Sequence, residues 1–293
     1  MSDTAPVLGF IGLGVMGSGM CRNAVTKHDG PVHVFDMVPS AIADQVKSGA
    51  IAAGSVAEIA QKCDVIFLSL PGGRQVAAVA GEIAEHARAG AAIIDLSTTS
   101  VAEARAVAAK LAEKGLAFSD APVARTRQAA IDGTLSIMVG ASDALFDRIL
   151  PLLSYMGSDV THCGDVGCGQ VVKLINNCLL FENVAAIAEM MVVAERAGVT
   201  GEKLIEAVGL GSGNSFALQN HAKKAMAPRE FPLKAFPSTY TLKDLGYAIE
   251  LAEQMGVTPR VAQLAASFYQ RAVDEGFGEE YFPAIIKLAD QQS

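Results

Sequence analysis

The sequence predicts an α/β fold, a doubly wound parallel sheet with helices on both faces, followed by an all-α domain reached through one long helix. Three observations predict it. Glycines 12, 14 and 17 form Gly-x-Gly-x-x-Gly between a short apolar run and a helical stretch. Strand-length apolar runs then alternate with helix-period segments as far as residue 162, and from Gly167 onward only helical periodicity remains. A chain of 293 residues suits two domains, which we divide as 1–165 and 166–293.

Bulk composition narrows the function. Charged residues are 18% and hydrophobic residues 51% of the chain, a shortage of charge that argues for a large buried fraction including a subunit interface. A net charge of −8 opposes binding to nucleic acid. No apolar run is expected to span a membrane, and the start MSDTAPVLGF lacks the basic region of a secretory signal. Five scattered cysteines, an odd number, suit a reduced, cytoplasmic protein. His162, Cys163 and Cys168 lack a second ligand pair at zinc spacing, so we expect no metal site.

The elements follow in order. Val7–Ile11 is a strand, and GLGVMGSGM leads from it into a helix over Met16–Thr26. In this context the three glycines serve a tight turn, close approach of the backbone (Gly12, Leu13, Gly14, Val15, Met16, Gly17) to a pyrophosphate, and close helix–strand packing. The second strand, Val32–Phe35, ends at Asp36, an acid placed to accept from the adenosine ribose hydroxyls and to repel a 2′-phosphate. This is a Rossmann-type dinucleotide fingerprint, with NAD expected over NADP. Cys63–Leu70 is a buried parallel strand ending in Leu70, Pro71 and two glycines, a loop at the sheet edge where ligands of such folds bind. A helix over Gln75–His86 leads to the strand Ala91–Asp95, and then come Ser97, Thr98 and Thr99. These hydroxyls suit ribose, amide or substrate contacts, and equally an N-cap for the helix Val101–Lys114. Asp120-Ala121-Pro122 is a strand exit, and Arg125 and Arg127 are the clustered cations near the expected site. Leu135–Val139, a helix near Asp143–Ser154 and a short strand around Asp159–His162 complete the alternation.

The chemistry is expected in Gly164–Asn177, GDVGCGQVVKLINN, at the start of a helix over Gln170–Ala197. Lys173 stands alone in the apolar run VVKLI, with Asn176 and Asn177 at i+3 and i+4 on the same helical face. An amine that gives or takes a proton, beside amides that fix an oxygen, is a device for carbonyl–hydroxyl chemistry. Apolar neighbours Val171, Val172, Leu174 and Ile175 are expected to bury the lysine. Further helices are predicted at Gly201–Gly209, Phe216–Met226, Thr241–Met255, Arg260–Glu275 and Tyr281–Gln291.

Five ordered signatures then resemble the β-hydroxyacid dehydrogenases, the family of 3-hydroxyisobutyrate dehydrogenase, tartronate semialdehyde reductase and, more distantly, 6-phosphogluconate dehydrogenase. They are GFIGLGVMGSGM, DLSTTS, DAPVARTRQAAIDGTLSIMVG, GCGQVVKLINN and KDLGYAIELAEQMGV, and together they cover essentially the whole chain. The resemblance implies reversible hydride transfer between NAD(H) and a short anionic 3-hydroxy acid or its semialdehyde. It assigns Lys173 as general acid/base, Asn176 or Asn177 as substrate hydrogen-bonders, and Thr98 as a cofactor or substrate contact. Lys243 would lie near the cofactor, with Phe236 and Asp244 lining the site, and homodimers or homotetramers would form through the helical domain. In the substrate loop, most members read Ser-Gly-Gly where this chain has Ala124, Arg125 and Thr126. That loss of a hydroxyl opens a second expectation. Arg125 would grip the anion, as in the similar sulfolactaldehyde reductase branch or a 4-hydroxybutyrate/succinic semialdehyde enzyme. A non-catalytic dinucleotide-binding interaction module is the competing class, and Lys173 with its two asparagines argues against it. So too does it argue against an imine reductase.

Overall fold

A computed structural model describes residues 5–233 and 235–291 of the chain. It divides into two compact units, 1–173 and 174–293.

In the first unit the strands β1 (Leu8–Ile11), β2 (Val32–Phe35), β3 (Ile51–Ala52), β4 (Val65–Leu68), β5 (Ala92–Asp95) and β6 (Ala117–Asp120) pair in parallel in the order β3-β2-β1-β4-β5-β6. β1, β4 and β5 are buried at every residue, which is why LGFI, VIFL and AIID are near-continuous apolar runs. Between them run α1 (Gly17–Lys27), α2 (Pro39–Val46), α3 (Val56–Lys62), α4 (Gly73–His86) and α5 (Val101–Ala112). Register lines up the carboxyl ends. Phe35 pairs with Ile11, Ile11 with Leu68, Leu68 with Asp95, and Asp95 with Asp120. The segments that leave these strands therefore emerge along one edge, where α/β sheets bind ligands.

Beyond β6 the sheet changes sense. β7 (Val123–Ala124), α6 (Arg127–Asp132), β8 (Leu135–Gly140), α7 (Asp143–Leu153) and β9 (Gly157–Gly164) follow. β8 runs antiparallel to β6 and β7, and parallel to β9. Caps written in the sequence start the helices: the hydroxyls of Ser55, Thr126 and Ser142 each accept a first-turn N–H. At α5 the cap is Ser100, in a reciprocal box with Glu103, rather than one of the hydroxyls at 97–99.

The second unit is helical. α8 (Cys168–Arg196) enters it from the first, followed by α9 (Gly201–Gly209), a π-helix (Ala217–Met226), α10 (Ser238–Gln254), α11 (Arg260–Asp274), a 3₁₀ turn (Phe282–Ile285) and α12 (Ile286–Asp290). Its core joins Phe181, Val184, Ala188 and Met191 of α8 to Leu245, Tyr269 and Phe282.

Several expectations need correction. α2, β3, α3, β7 and α6 are short elements that periodicity does not register, although Pro39 at a helix start and the Ser55 cap are legible afterwards. The expected helix at Phe216–Met226 is wound as a π-helix, with Ala227 N–H bonding to Ala222 O five residues back. The expected last helix is instead a 3₁₀ turn with Pro283 at its start, followed by the short α12. One 18-residue window of α8, with a mean hydropathy of 1.5, is long and apolar enough to cross a membrane by length and composition alone, a helix the sequence reading did not single out for this. That window holds no more than two charges, while the inner stripe of the helix is core to the second unit.

Candidate functional site

The glycine loop between β1 and α1 is built by contact. Gly12 has φ +95, and a Cβ there would sit 2.2 Å from Ser69 O; one at Gly17 would sit 2.2 Å from Gly12 O. Both positions exclude side chains because backbone is packed against them. Gly14 differs, since a Cβ would meet no heavy atom within 4 Å and would instead fill the cradle at the helix start. That is the position where a pyrophosphate approaches. Leu13 is buried while Val15 is exposed, so the loop turns one apolar side chain in and leaves its backbone outward.

Asp36 joins this loop directly. Its Oδ2 accepts from Leu13 N–H at 2.6 Å and its Oδ1 from Val38 N–H at 2.8 Å. A carboxylate has about four acceptor positions, so lone pairs remain for two ribose hydroxyls. Asp36 is thus a turn residue with acceptor positions to spare, and the residues present fit NAD.

Farther along the edge, Ser97 is consumed structurally. Its Oγ accepts from Leu70 N–H at 2.8 Å and its N–H bonds Asp95 Oδ1 at 3.0 Å. Ser97 and Thr99 are buried, Thr98 is half-buried, and Pro71 is exposed. Of the three hydroxyl residues, Thr98 alone is not fully buried.

The 124–126 loop carries an unexpected backbone. Arg125 has φ +87, a conformation natural to glycine, while Ala124 is buried and Thr126 caps α6. Its guanidinium is engaged by the protein, with Thr134 O among its partners. It bonds Ser158 Oγ at 3.0 Å and pairs with Asp159 at 2.8 Å, and the Ser158 hydroxyl, with this guanidinium second, holds that carboxyl below the usual carboxylate range. The structure therefore commits Arg125 to β9 in this conformation, to a partner that sequence reading did not name.

The start of α8 lies against the same edge. Asp120, at the end of β6 and fully buried, accepts Gly167 N–H at 2.7 Å and Gln170 N–H at 2.8 Å. Burial pushes its carboxyl up, against the lowering effect of those two bonds. The Gln170 amide donates to Ser97 O at 2.8 Å and accepts from Thr99 N–H at 3.2 Å. Lys173 follows one turn later, 8% exposed.

The lysine is buried as expected, but the reason differs. Of the four expected apolar neighbours, Leu174 is buried and Val171 half-buried, but Val172 and Ile175 are exposed, as is Leu179, while Gln170, Lys173 and Asn177 face inward. The first turns of α8 thus bury three polar side chains on the same face that farther along carries Phe181, Val184 and Ala188 into the core. Asn176 is exposed, so it does not share the burial of its predicted partners.

Within the second unit, Asn177 Nδ2 donates to Asp244 Oδ2 at 2.7 Å, and Asn176 Nδ2 to Asn177 Oδ1 at 3.1 Å. Asp244 is buried, Lys243 Nζ lies 3.3 Å from its other oxygen, and Lys243 also sits over the rings of Tyr240 and Tyr247. Phe236 is partly exposed and stacks on Phe181. Asp120 and Gln170 are the two site residues that sequence reading missed. The signal for Gln170 was available, since it stands three residues before Lys173 on one helical face. Among the described residues no His/Cys/Asp/Glu group could hold a metal.

Comparison with known proteins follows the same division. Residues 7–164 match the family profile of the NAD-binding domain of 6-phosphogluconate dehydrogenase, and residues 167–289 that of the NAD-binding of NADP-dependent 3-hydroxyisobutyrate dehydrogenase. The chain is 36% identical to 2-(hydroxymethyl)glutarate dehydrogenase of Eubacterium barkeri, over 98% of this chain and 95% of that one. It is 33% identical to the NAD-dependent L-serine dehydrogenase of Pseudomonas aeruginosa, over 97% of both. Among solved structures, 3-hydroxyisobutyrate dehydrogenase of Mycobacterium tuberculosis with L-serine is similar with a TM-score of 0.89 and 30% identity, covering 97% of this chain and 99% of that one.

Proposed function

The chain belongs to the β-hydroxyacid dehydrogenase family and is an NAD-dependent oxidoreductase of hydroxyl groups, and from that premise we propose that it interconverts a short anionic 3-hydroxy acid and its semialdehyde with Lys173 as general acid/base. The observation that carries this reading is the burial of three polar side chains, an amine among them, on one face of the first turns of α8. Placing Gln170, Lys173 and Asn177 inside while Val172, Ile175 and Leu179 stay outside forgoes hydrophobic burial.

NAD, when bound, accepts or supplies the hydride. The rest of the reaction falls to this chain's residues. Lys173 as an ammonium gives a proton to the carbonyl oxygen in reduction, and as a neutral amine takes the hydroxyl proton in oxidation. The Asn177 amide, held by Asp244, and Asn176 orient that oxygen. Thr98 contacts the nicotinamide side, and the 124–126 loop meets the substrate's acid group. A sulfonate-gripping role for Arg125 would require its guanidinium to leave Ser158 and Asp159. The carboxylate reading is therefore preferred.

Two further proposals concern its setting. The outward stripe of α8, with Val172, Ile175, Leu179, Met190 and Val193, supports a homo-oligomer in which a second copy covers it. Five free thiols support a reducing compartment such as the cytoplasm.

The test is Lys173→Ala with NAD⁺ and a panel of 3-hydroxyisobutyrate, L-serine and 2-(hydroxymethyl)glutarate. NADH binding should stay within about threefold while turnover falls at least about 10², the low end for general acid–base catalysis. Near-normal turnover of the variant removes the lysine from the mechanism.

A further inference from the structure

The first turn of α8 is held with more bonds than a helix start requires. A helix N-terminus needs partners for four N–H groups, and solvent or one cap commonly supplies them. Here a buried carboxylate from β6 takes two of them, and the side chain of the third helical residue is itself bonded at both ends. Gln170 is thus gripped through its backbone by Asp120 and through its amide by Ser97 and Thr99. The two amide bonds have opposite polarity, one given to a carbonyl and one received from an N–H, so the group has a single orientation.

The surrounding glycines exist to allow this seat. A Cβ at Gly169 would lie 2.4 Å from Met138 O and 2.8 Å from Asp120 O, both backbone atoms that cannot rotate away. A Cβ at Gly140 would lie 2.4 Å from Asp120 Oδ1. Gly167 enters the helix at φ +95. The turn therefore rests directly on the ends of β6 and β8, with no side chain between.

We propose that Gln170 is the positioning residue for Lys173, its amide bracketing Thr98 from Ser97 to Thr99 so that the amine one turn later is held in register with the ends of the parallel strands. This rests on the reading of Lys173 as the acid/base. The lever is short. Lys173 lies three residues on, and a tilt of roughly 10° at Gln170 carries an amine some 7 Å away through about 1 Å. A displacement of that size costs about 10²-fold in rate when the group must meet a reacting atom. Asp120 contributes by fixing the backbone on which Gln170 pivots, so it positions at one further remove.

A purely structural bracket would show itself in stability and would affect rate independently of the lysine. The experiment compares wild type, Gln170→Ala, Lys173→Ala and the double variant. It measures melting temperature, NADH affinity by fluorescence, and kcat and KM with whichever of 3-hydroxyisobutyrate and L-serine the wild type oxidises faster. Gln170→Ala should keep NADH affinity and substrate KM within about threefold and lose kcat by about 10- to 100-fold. In the Lys173→Ala background the same change should cost less than about twofold, because nothing is left to position. An equal loss of kcat in both backgrounds overturns the proposal, as does unchanged kcat in Gln170→Ala. Failure of the underlying reading is visible separately, as near-normal turnover of Lys173→Ala. Should Gln170→Ala not fold, Gln170→Glu has the same shape and keeps the acceptor for Thr99, but turns an oxygen towards Ser97 O. It carries the same comparison.

Discussion

Two glycines of one motif should respond oppositely to the same methyl group. At Gly12 an alanine is forced into φ +95, which costs about 1–2 kcal/mol. Its Cβ would also stand 2.2 Å from Ser69 O and 2.9 Å from Ser69 C, backbone that moves only with β4, and overpacking of that kind adds about 1–3 kcal/mol. Gly12→Ala should therefore lose about 3 kcal/mol in all, or about 6–12 °C in melting temperature for a domain of this size. At Gly14 the Cβ meets nothing within 4 Å and φ is not in the left-handed region. The folded chain should tolerate Gly14→Ala within about 2 °C, since losing glycine's freedom in the unfolded state offsets small costs. NADH binding should nonetheless weaken at least about tenfold, about 1.4 kcal/mol, because the methyl occupies the approach to the pyrophosphate. The assay pairs thermal melting with NADH fluorescence titration of both variants. Equal melting shifts, or an unchanged NADH affinity in Gly14→Ala, would refute the argument that one glycine serves the fold and the other the cofactor.

Three other outcomes are expected. Asp36→Ala should raise turnover with NADPH relative to NADH, while also loosening Leu13; unchanged cofactor preference would show that Asp36 does not read the ribose. Arg125→Gly removes an exposed ion pair worth about 0–1 kcal/mol and relieves a left-handed arginine, so stability should change by less than about 1 kcal/mol and substrate KM should hold; a tenfold rise in KM would show the guanidinium turning to the substrate's anion. His221, on the π-helix, is buried beside Tyr281, and burial lowers it from 6.5 to about 4. Its folded pKa lies below the unfolded one, so its contribution is present above 6.5 and is lost as pH falls towards 4. Going from pH 7 to pH 5 should cost about 2 kcal/mol in stability, and His221→Gln should flatten that part of the pH–stability curve measured by urea unfolding; an unchanged slope would mean that other groups set it.

The dinucleotide half of the site was legible because its determinants are local. Gly12, Gly14 and Gly17 lie within six residues, Asp36 ends the next strand, and buried parallel strands must be apolar on both faces. Lys173 and Asn177 were legible for a similar reason, since residues four apart on a helix share a face whatever surrounds it. Arg125 shows where such reading stops. Its partner Asp159 is 34 positions away on β9, so choosing between substrate and protein for its guanidinium was beyond any local pattern.

By itself, then, the chain's order of residues determined the alternating sheet, the helical second half, the coenzyme loop and the candidate amine, all consequences of periodicity and short-range stereochemistry. Only the tertiary structure decided which way α8 is rotated, with Lys173 inside and Val172 and Ile175 outside. It alone brought Asp120 and Ser97 to Gln170 across 50 and 73 positions. The physical reason is that strand register and the glycine-sized approach of the helix to the strand ends set those distances, and both come from packing elements that are far apart along the chain.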